Sequence, residues 1–331
     1  MNAIQTTTPE STEPIVGLGM PVYNGAQYIA EAIESIRAQT LTNFELIICD
    51  NASTDETETL CRALAAKDPR IKYHRNETNI GAHPNYNRTF ALARGKYFKW
   101  VPHDDMLHPE FLASCVEALE ADPGAVLCQT QLDYIDGKGN KLGVVKTQLR
   151  GTQAVRPATR FAAAVLLPHN CYEVMGVFRR EALGNSMLLE SFHGADRALV
   201  AQMALKGRFL NVPQPYLIVR DHDDRYTRKK TKPKERAVWH DTRLAGKRVF
   251  PTWRLYGTYW GMLAAAGIGM WEWMVASTRL FEWWFVNWNS ARMGVDILAG
   301  FVPDVVVWAE NVKQSLFSPA PGIDEVRKSA R

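Results

Sequence analysis

From Pro14 to Ile135 the chain alternates between unbroken apolar runs and amphipathic stretches. This alternation limits the available folds more than any other feature. "PIVGLGMPVY" reads as a first strand. Residues 26–39 follow as a helix, with Ile29, Ala32, Ile33 and Ile36 spaced i, i+3, i+4, i+7. "FELIICD" is apolar without alternation, as a strand covered on both faces must be. "NASTDETETL" opens the next helix, where Ser53 or Thr54 can cap and Asp55 and Glu56 suit the positive end. "RIKYHRN" predicts a third strand and residues 83–94 a third helix. "KYFKWV" is a fourth strand, Pro109 starts a fourth helix, and "AVLCQTQLDYI" returns as strand before the turn "DGKGN". Such an order implies an α/β fold: a doubly wound, mainly parallel, Rossmann-like sheet with right-handed crossovers.

Beyond this half the pattern weakens. A helix is expected at about 156–166, with strands near 172–179 and 208–220 and a helical, Trp-rich tail from about 234. At 331 residues the chain can bury a full core. Its cysteines at 49, 61, 115, 128 and 171 show no CxxC pair, which predicts reduced thiols and a cytoplasmic protein. The polar opening "MNAIQTTTPESTE" lacks an apolar core and reads as a loose N-terminus rather than a signal peptide. The net charge of +4 is unevenly spread. A basic belt over 225–248 outweighs a remainder that is acidic on balance, so the belt can face phosphates, anionic lipid or solvent.

In a parallel sheet the strand-to-helix loops leave from the carboxyl edge, where ligands bind. Three polar loops are expected there: "PVYNG" (Pro21 to Gly25), "CDNASTD" (Cys49 to Asp55) and "PHDD" (Pro102 to Asp105). Singly, each has a plain reading as turn, helix cap or solvated surface. Together they converge on one rim. Adjacent carboxylates repel unless a cation sits beside them. A hard divalent ion takes oxygen ligands and favours few carboxylates plus phosphates. Asp104 and Asp105 therefore suggest a metal holding a diphosphate, with Asp50 free to meet a base N–H and the backbone of Pro21, Val22, Tyr23 and Asn24 beside a nucleoside.

These residues resemble family 2 glycosyltransferases of the GT-A fold. The resemblance rests on "MPVYNGAQYIAEAIESIRAQTLTNFELIICDNASTD", on "NIGAHPNYNRTFALARGKYFKWVPHDD" with "HDD" as a DxD-type metal motif, and on "GADRALVAQMALKG". It spans roughly residues 14–225. It implies an inverting transfer from a nucleotide-sugar donor, UDP-linked by default, to a hydroxyl of a saccharide or polyprenol-linked saccharide. By resemblance, Pro21, Val22, Tyr23 and Asn24 line the nucleoside and Asp50 meets the base. Asp104 lies near the ribose or sugar, Asp105 ligates Mn²⁺ or Mg²⁺, and Asp196 is the general base. His222 joins the metal and diphosphate, with Arg225 as a phosphate partner. The chain departs from the pattern in reading Asp50-Asn51 where two acids are common, Tyr86 before Asn87 where Arg is common, and Ala195 before Asp196.

The implied organisation is a flexible 1–13, a donor-binding half at 14–135, an acceptor-binding half with the base at 136–225, and a basic linker with helical extension at 226–331. Asp196 opens an apolar helix, so a plain N-cap competes with the catalytic role. His103 reads as a turn residue, and His169 and His193 as acceptor contacts or structural. A nucleotidyltransferase is the rival enzyme class, although no Gly-rich loop with a basic anchor follows the first strand. A non-catalytic nucleotide- or saccharide-binding module is the other alternative. Leu255 to Trp271 is uncharged but short for a membrane span. With the belt before it, the tail suggests a unit resting on an anionic cytoplasmic leaflet, or packing on its own domain or a second subunit. No nucleic-acid partner is expected.

Overall fold

The computed structural model describes residues 13–146, 149–223, 225 and 233–299, with 301, 302, 305, 308 and 309 beyond them. Nearly all of the expected loose N-terminus, and 226–232 of the basic belt, lie outside this set.

Strands β1 (Val16–Val22) and β2 (Phe44–Asp50) are buried at every position, which explains their lack of alternation. Between them α1 (Ile29–Arg37) buries Ile29, Ala32, Ile33 and Ile36. The order continues through α2 (Thr57–Ala65), β3 (Ile71–Arg75), α3 (Ala82–Leu92) and β4 (Tyr97–Trp100). A two-residue strand, β5 (Met106–Leu107), follows the acidic pair. Then come α4 (Phe111–Ala121), the long β6 (Ala125–Asp136) and β7 (Lys141–Val145), which hairpins back on β6. The second half adds α5 (Pro157–Leu166), a 3-10 turn at Tyr172–Met175, β8 (Val177–Arg179) and α6 (Arg180–Gly184). It closes with α7 (Ala195–Lys206) and β9 (Arg208–Asp221). The extension includes α8 (Pro233–His240), α9 (Pro251–Ala264), α10 (Met270–Glu282) and α11 (Asn289–Ala299).

One sheet runs β3-β2-β1-β4-β8-β6-β9-β5, with β7 alongside β6. The first four strands are parallel, as is β6 with β9. The sheet as a whole is mixed, because β8 inserts between β4 and β6 and runs antiparallel to both. The strand expected from residue 172 starts only at Val177, after the 3-10 turn. Helices α1, α2 and α4 cover one face of the sheet, and α3, α5 and α7 the other.

The extension joins that second core. Leu255, Tyr259, Leu263, Ala276, Leu280 and Trp283 are buried in it, and α9 and α10 pack on α7 and α5. The uncharged run 255–271 is broken between α9 and α10, where Gly267 takes a φ of 63°. No helix among the described residues is long and apolar enough to cross a membrane.

Candidate functional site

Because β1, β2 and β4 are parallel neighbours, their C-terminal ends share one rim. There the first two loops are tied together. The Asn24 N–H donates to Ser53 Oγ (2.9 Å), and Asn24 Oδ1 accepts from the Thr54 N–H (2.8 Å). The Gly25 N–H donates to Thr57 Oγ1 (2.9 Å) and the Ala26 N–H to Asp55 Oδ2 (3.1 Å). Ser53 and Thr54, expected to cap the second helix, are spent on this junction instead. The exposed N–H groups of the first loop need acceptors, and the second loop supplies them. Gly25 also passes close under the third loop, Pro102 to Asp105: a Cβ there would lie 2.5 Å from His103 Cδ2. Pro21 and Val22 are buried in β1, whereas the Tyr23 ring stands on the rim, 46% exposed.

Asp50 is completely buried. Its Oδ1 accepts from the Ser53 N–H (2.8 Å), and its Oδ2 from Tyr73 (2.6 Å) and Arg75 (2.7 Å). Beside it, Asn51 binds both ways. Its Nδ2 donates to Asn79 Oδ1 and the Gly81 carbonyl, and its Oδ1 accepts from Asn76 and the Ile80 N–H. Asn76 continues to Asn85, which donates to the Cys49 carbonyl. This amide network holds the start of α3 to the end of β2. A buried group that loses its partner costs its full desolvation, so Asn51→Leu is expected to lower unfolding free energy by ~3 kcal/mol in a denaturant titration.

The acidic pair is fixed from the far side of the sheet. Met106 and Leu107 pair with Ile218 and Leu217 of β9, which places Asp104 and Asp105 against the end of that strand. Asp104 Oδ2 meets His222 Nε2 at 2.9 Å. Asp105 is 1% exposed; its Oδ1 accepts from the Arg220 N–H (3.1 Å), and its Oδ2 lies 3.8 Å from Arg225. Arg225 in turn donates to the Arg220 carbonyl. Burial works against the Asp104 carboxylate, but His222, His103 and Arg225 together hold it below the usual range. Burial dominates at Asp105 and, with Asp104 adding to it, pushes that carboxyl up to about 7 despite Arg225. Tyr86, Tyr134 and Tyr172 line the same recess around Arg225 and the acids. Trp100 is fully buried and donates to the Tyr86 carbonyl.

This geometry fits a hard cation. Among the described residues no three His, Cys, Asp and Glu side chains gather into a metal cage. The rim instead offers Asp105 with a neighbour, Asp104 or His222, and a shortfall of positive charge. Oxygen ligands from phosphate and water would complete such a shell.

Asp196 lies near the start of α7, but the N-cap position belongs to Gly194, with a φ of 99°. Asp196 Oδ1 accepts from the Arg197 N–H at 2.9 Å. Burial opposes its ionisation, yet Arg197 and His193 hold its carboxyl below the usual range. The Cys171 thiol lies close enough to feel this carboxylate's charge, while the next residue, Tyr172, faces Asp105 and Arg225. Cys171 and Tyr172, which sequence reasoning did not place in the site, thus lie between the two acidic sites, with Cys171 at a left-handed φ of 57°. His169 is structural: its Nε2 meets the Ala164 carbonyl at 3.0 Å and its ring is buried beside Glu173.

Comparison with known proteins agrees with this architecture. A solved structure of S. aureus TarS, residues 1–349 with UDP-GlcNAc, superposes with a TM-score of 0.61 over 82% of this chain and 72% of TarS, at 16% identity. An uncharacterized glycosyltransferase of Rickettsia typhi is 33% identical over 159 residues, covering 48% of this chain. A chondroitin synthase of Escherichia coli is 32% identical over 127 residues, 38% of this chain and 18% of the synthase. The chain spans about half the length of the Rickettsia relative, at 49%. The family model described as glycosyl transferase family 2 matches residues 18–185, from β1 through α6, a stretch that holds the three rim loops: the chain belongs to glycosyl transferase family 2, with the GT-A fold.

Proposed function

We propose that this chain is an inverting, metal-dependent glycosyltransferase of hexosyltransferase type. It moves a sugar from a nucleoside-diphosphate sugar to a hydroxyl of a saccharide or lipid-linked saccharide, in polysaccharide or glycolipid synthesis. The observation that carries this reading is the buried Asp104–Asp105–His222–Arg225 cluster, joined to Asp196 through Cys171 and Tyr172. UDP is the default donor base, since TarS was solved with UDP-GlcNAc on the same fold.

The residues take separate roles. The loop Pro21, Val22, Tyr23, Asn24 lines the nucleoside, with the exposed Tyr23 ring as its platform. Asp50 sets the floor of the base pocket. Its oxygens already serve Ser53, Tyr73 and Arg75, so a direct bond to the base requires release of one of them. Asp104 orients His222 and faces the ribose or sugar, and Arg225 offsets charge on the departing diphosphate. Asp105, with His222 as second candidate, would hold Mn²⁺ or Mg²⁺. The bound cation supplies positive charge against the leaving group. Asp196 accepts the proton of the attacking hydroxyl. The new C1–O bond forms opposite the breaking C1–O(phosphate) bond, and that electron pair leaves on the diphosphate.

The test is release of nucleoside diphosphate from a panel of UDP- and GDP-sugars, with and without EDTA. Turnover is expected to vanish with EDTA and return with Mn²⁺ or Mg²⁺. Pyrophosphate as product would instead favour a nucleotidyltransferase, and full activity in EDTA would overturn the metal role.

The outer face of the extension supports peripheral membrane contact on the cytoplasmic side. Among the described residues most exposed large hydrophobics lie at or beyond Trp239, among them Phe285 (78%), Phe301 (76%), Met270 (74%) and Trp271 (66%). Arg243, Lys247 and Arg248 are exposed nearby in sequence. Aromatic side chains with basic neighbours suit an anionic interface. The protein is expected to co-sediment with phosphatidylglycerol vesicles, and Trp271→Ala/Phe281→Ala/Phe285→Ala to lose roughly 10-fold in partitioning. Light scattering that shows a dimer, with no vesicle binding, would assign this face to a second copy.

A further inference from the structure

Three imidazoles from distant parts of the chain meet behind the start of α7. His83 belongs to α3, His240 ends α8, and His193 immediately precedes Gly194. Their ring nitrogens form a continuous line. His193 Nδ1 lies 3.3 Å from His240 Nε2, and His240 Nδ1 lies 2.9 Å from His83 Nε2. His83 Nδ1 ends the line on the Glu190 carbonyl oxygen at 2.6 Å. Gly81 permits the approach: its φ is +89°, and a Cβ would fall 2.6 Å from Asp241 Cα and 2.8 Å from the His240 carbonyl oxygen.

The carbonyl end dictates the direction of every proton along the line. A carbonyl oxygen only accepts, so His83 Nδ1 carries hydrogen. A neutral His83 then presents a bare Nε2, which accepts from His240 Nδ1–H. His240 Nε2 is bare in turn and accepts from His193 Nδ1–H. Burial drives His83 below the usual histidine range, and takes His240 to about 2 with help from the charges of His83, His193 and Arg236. Both inner rings are therefore neutral near pH 7. The line ends on a backbone carbonyl and so leads no proton anywhere. Each inner nitrogen is spent on a neighbour, which leaves none for a metal. What the line fixes is a tautomer. His193 is exposed, and among the described residues nothing hydrogen-bonds its Nε2.

We propose that His193 binds the acceptor: its Nε2 lone pair, held outward by the His240–His83–Glu190 line, accepts a hydrogen bond from a sugar hydroxyl next to the one that Asp196 deprotonates. The proposal rests on the transferase reading. Asp196 is near enough to His193 for each to act on the other's charge. The other charged groups facing the ring are Arg197 and Arg236, which oppose its protonation after the packing of the protein around it. A protonated His193 would donate rather than accept, so acceptor affinity should fall on the acid side.

Long-range ¹H–¹⁵N NMR on the labelled full chain reads the tautomers directly. The hydrogen is expected on Nδ1 of all three rings at pH 7.5; a hydrogen on His193 Nε2 overturns the proposal. Kinetics give the second arm, with UDP- and GDP-sugars as donors and methyl glycosides of glucose, galactose, mannose and N-acetylglucosamine as acceptors. His193→Phe is expected to raise acceptor KM by ~10-fold, while donor KM stays within about twofold. His193→Gln, which keeps an acceptor oxygen, is expected to recover part of the loss. His83→Phe, which unlocks the tautomer without touching His193, is expected to raise acceptor KM by about threefold. A folded His193→Phe protein with unchanged acceptor KM sinks this assignment alone. A wild-type protein that turns over no donor sinks the transferase reading beneath it.

Discussion

Asp105→Asn is expected to cut sugar transfer by ~10³-fold while leaving a protein that melts higher than wild type at pH 8. Both effects come from the same burial. The Asp105 carboxyl has 1% of its surface exposed and stands beside a second acid. Its nearest cation, Arg225, is 3.8 Å away. An amide keeps the shape and still accepts from the Arg220 N–H, but it brings no charge to a cation or a diphosphate. The sign of the stability change follows from the raised carboxyl, at about 7 against an ordinary 3.8. At low pH the acid is protonated whether the chain is folded or not, and wild type and variant should melt alike. As pH rises past the ordinary value, the unfolded chain ionises first and the wild-type fold loses stability. That loss is complete above about 7. Thermal melts at pH 4 and pH 8 without metal, beside a nucleoside diphosphate release assay, check both halves. A variant that keeps a tenth of the activity, or that melts lower at pH 8, would contradict the account.

The first half of the fold was legible because fully covered parallel strands leave an unambiguous trace. β1 and β2 are buried at every residue, and their sequences are apolar at nearly every residue. The three-loop rim was legible for the same reason, since parallel order forces those loops together. Strand β8 was expected within 172–179, but its place between β4 and β6 was not legible, because that place depends on partners far along the chain. Asn51 looked like a lost acid. In the fold it is an amide whose donor and acceptor are both used, a role that carboxylate chemistry could not fill. The imidazole line was beyond sequence reasoning, for His83 and His240 lie 157 residues apart and nothing in the sequence pairs them. His193 and His169 were equivalent candidates in sequence. The structure separates them by one fact: His169 is buried on a backbone carbonyl, and His193 is exposed with a nitrogen to spare.

Asp196→Asn is expected to lower kcat by ~10³-fold with nucleoside diphosphate affinity within about twofold of wild type. The split between the two readouts follows from where the carboxylate sits. Cys171 and Tyr172 stand between it and the Asp105–Arg225 recess, so its removal leaves the diphosphate contacts in place. What disappears is the carboxylate assigned to take the proton of the attacking hydroxyl. Its carboxyl is held below the ordinary range by Arg197 and His193 against the opposing effect of burial, so it is ionised and ready to accept at neutral pH. An asparagine at this position can still accept from the Arg197 N–H, and the start of α7 is expected to stay intact. The N-cap alternative makes the opposite forecast. A residue that merely capped the helix would show its loss in stability and spare turnover. Gly194 already holds the cap position, so helix capping gives Asp196 no reason to be an acid. Calorimetric titration with UDP and GDP, run beside single-turnover transfer, separates the two. Loss of turnover with binding preserved places Asp196 at the acceptor hydroxyl, whereas Asp105→Asn must lose both.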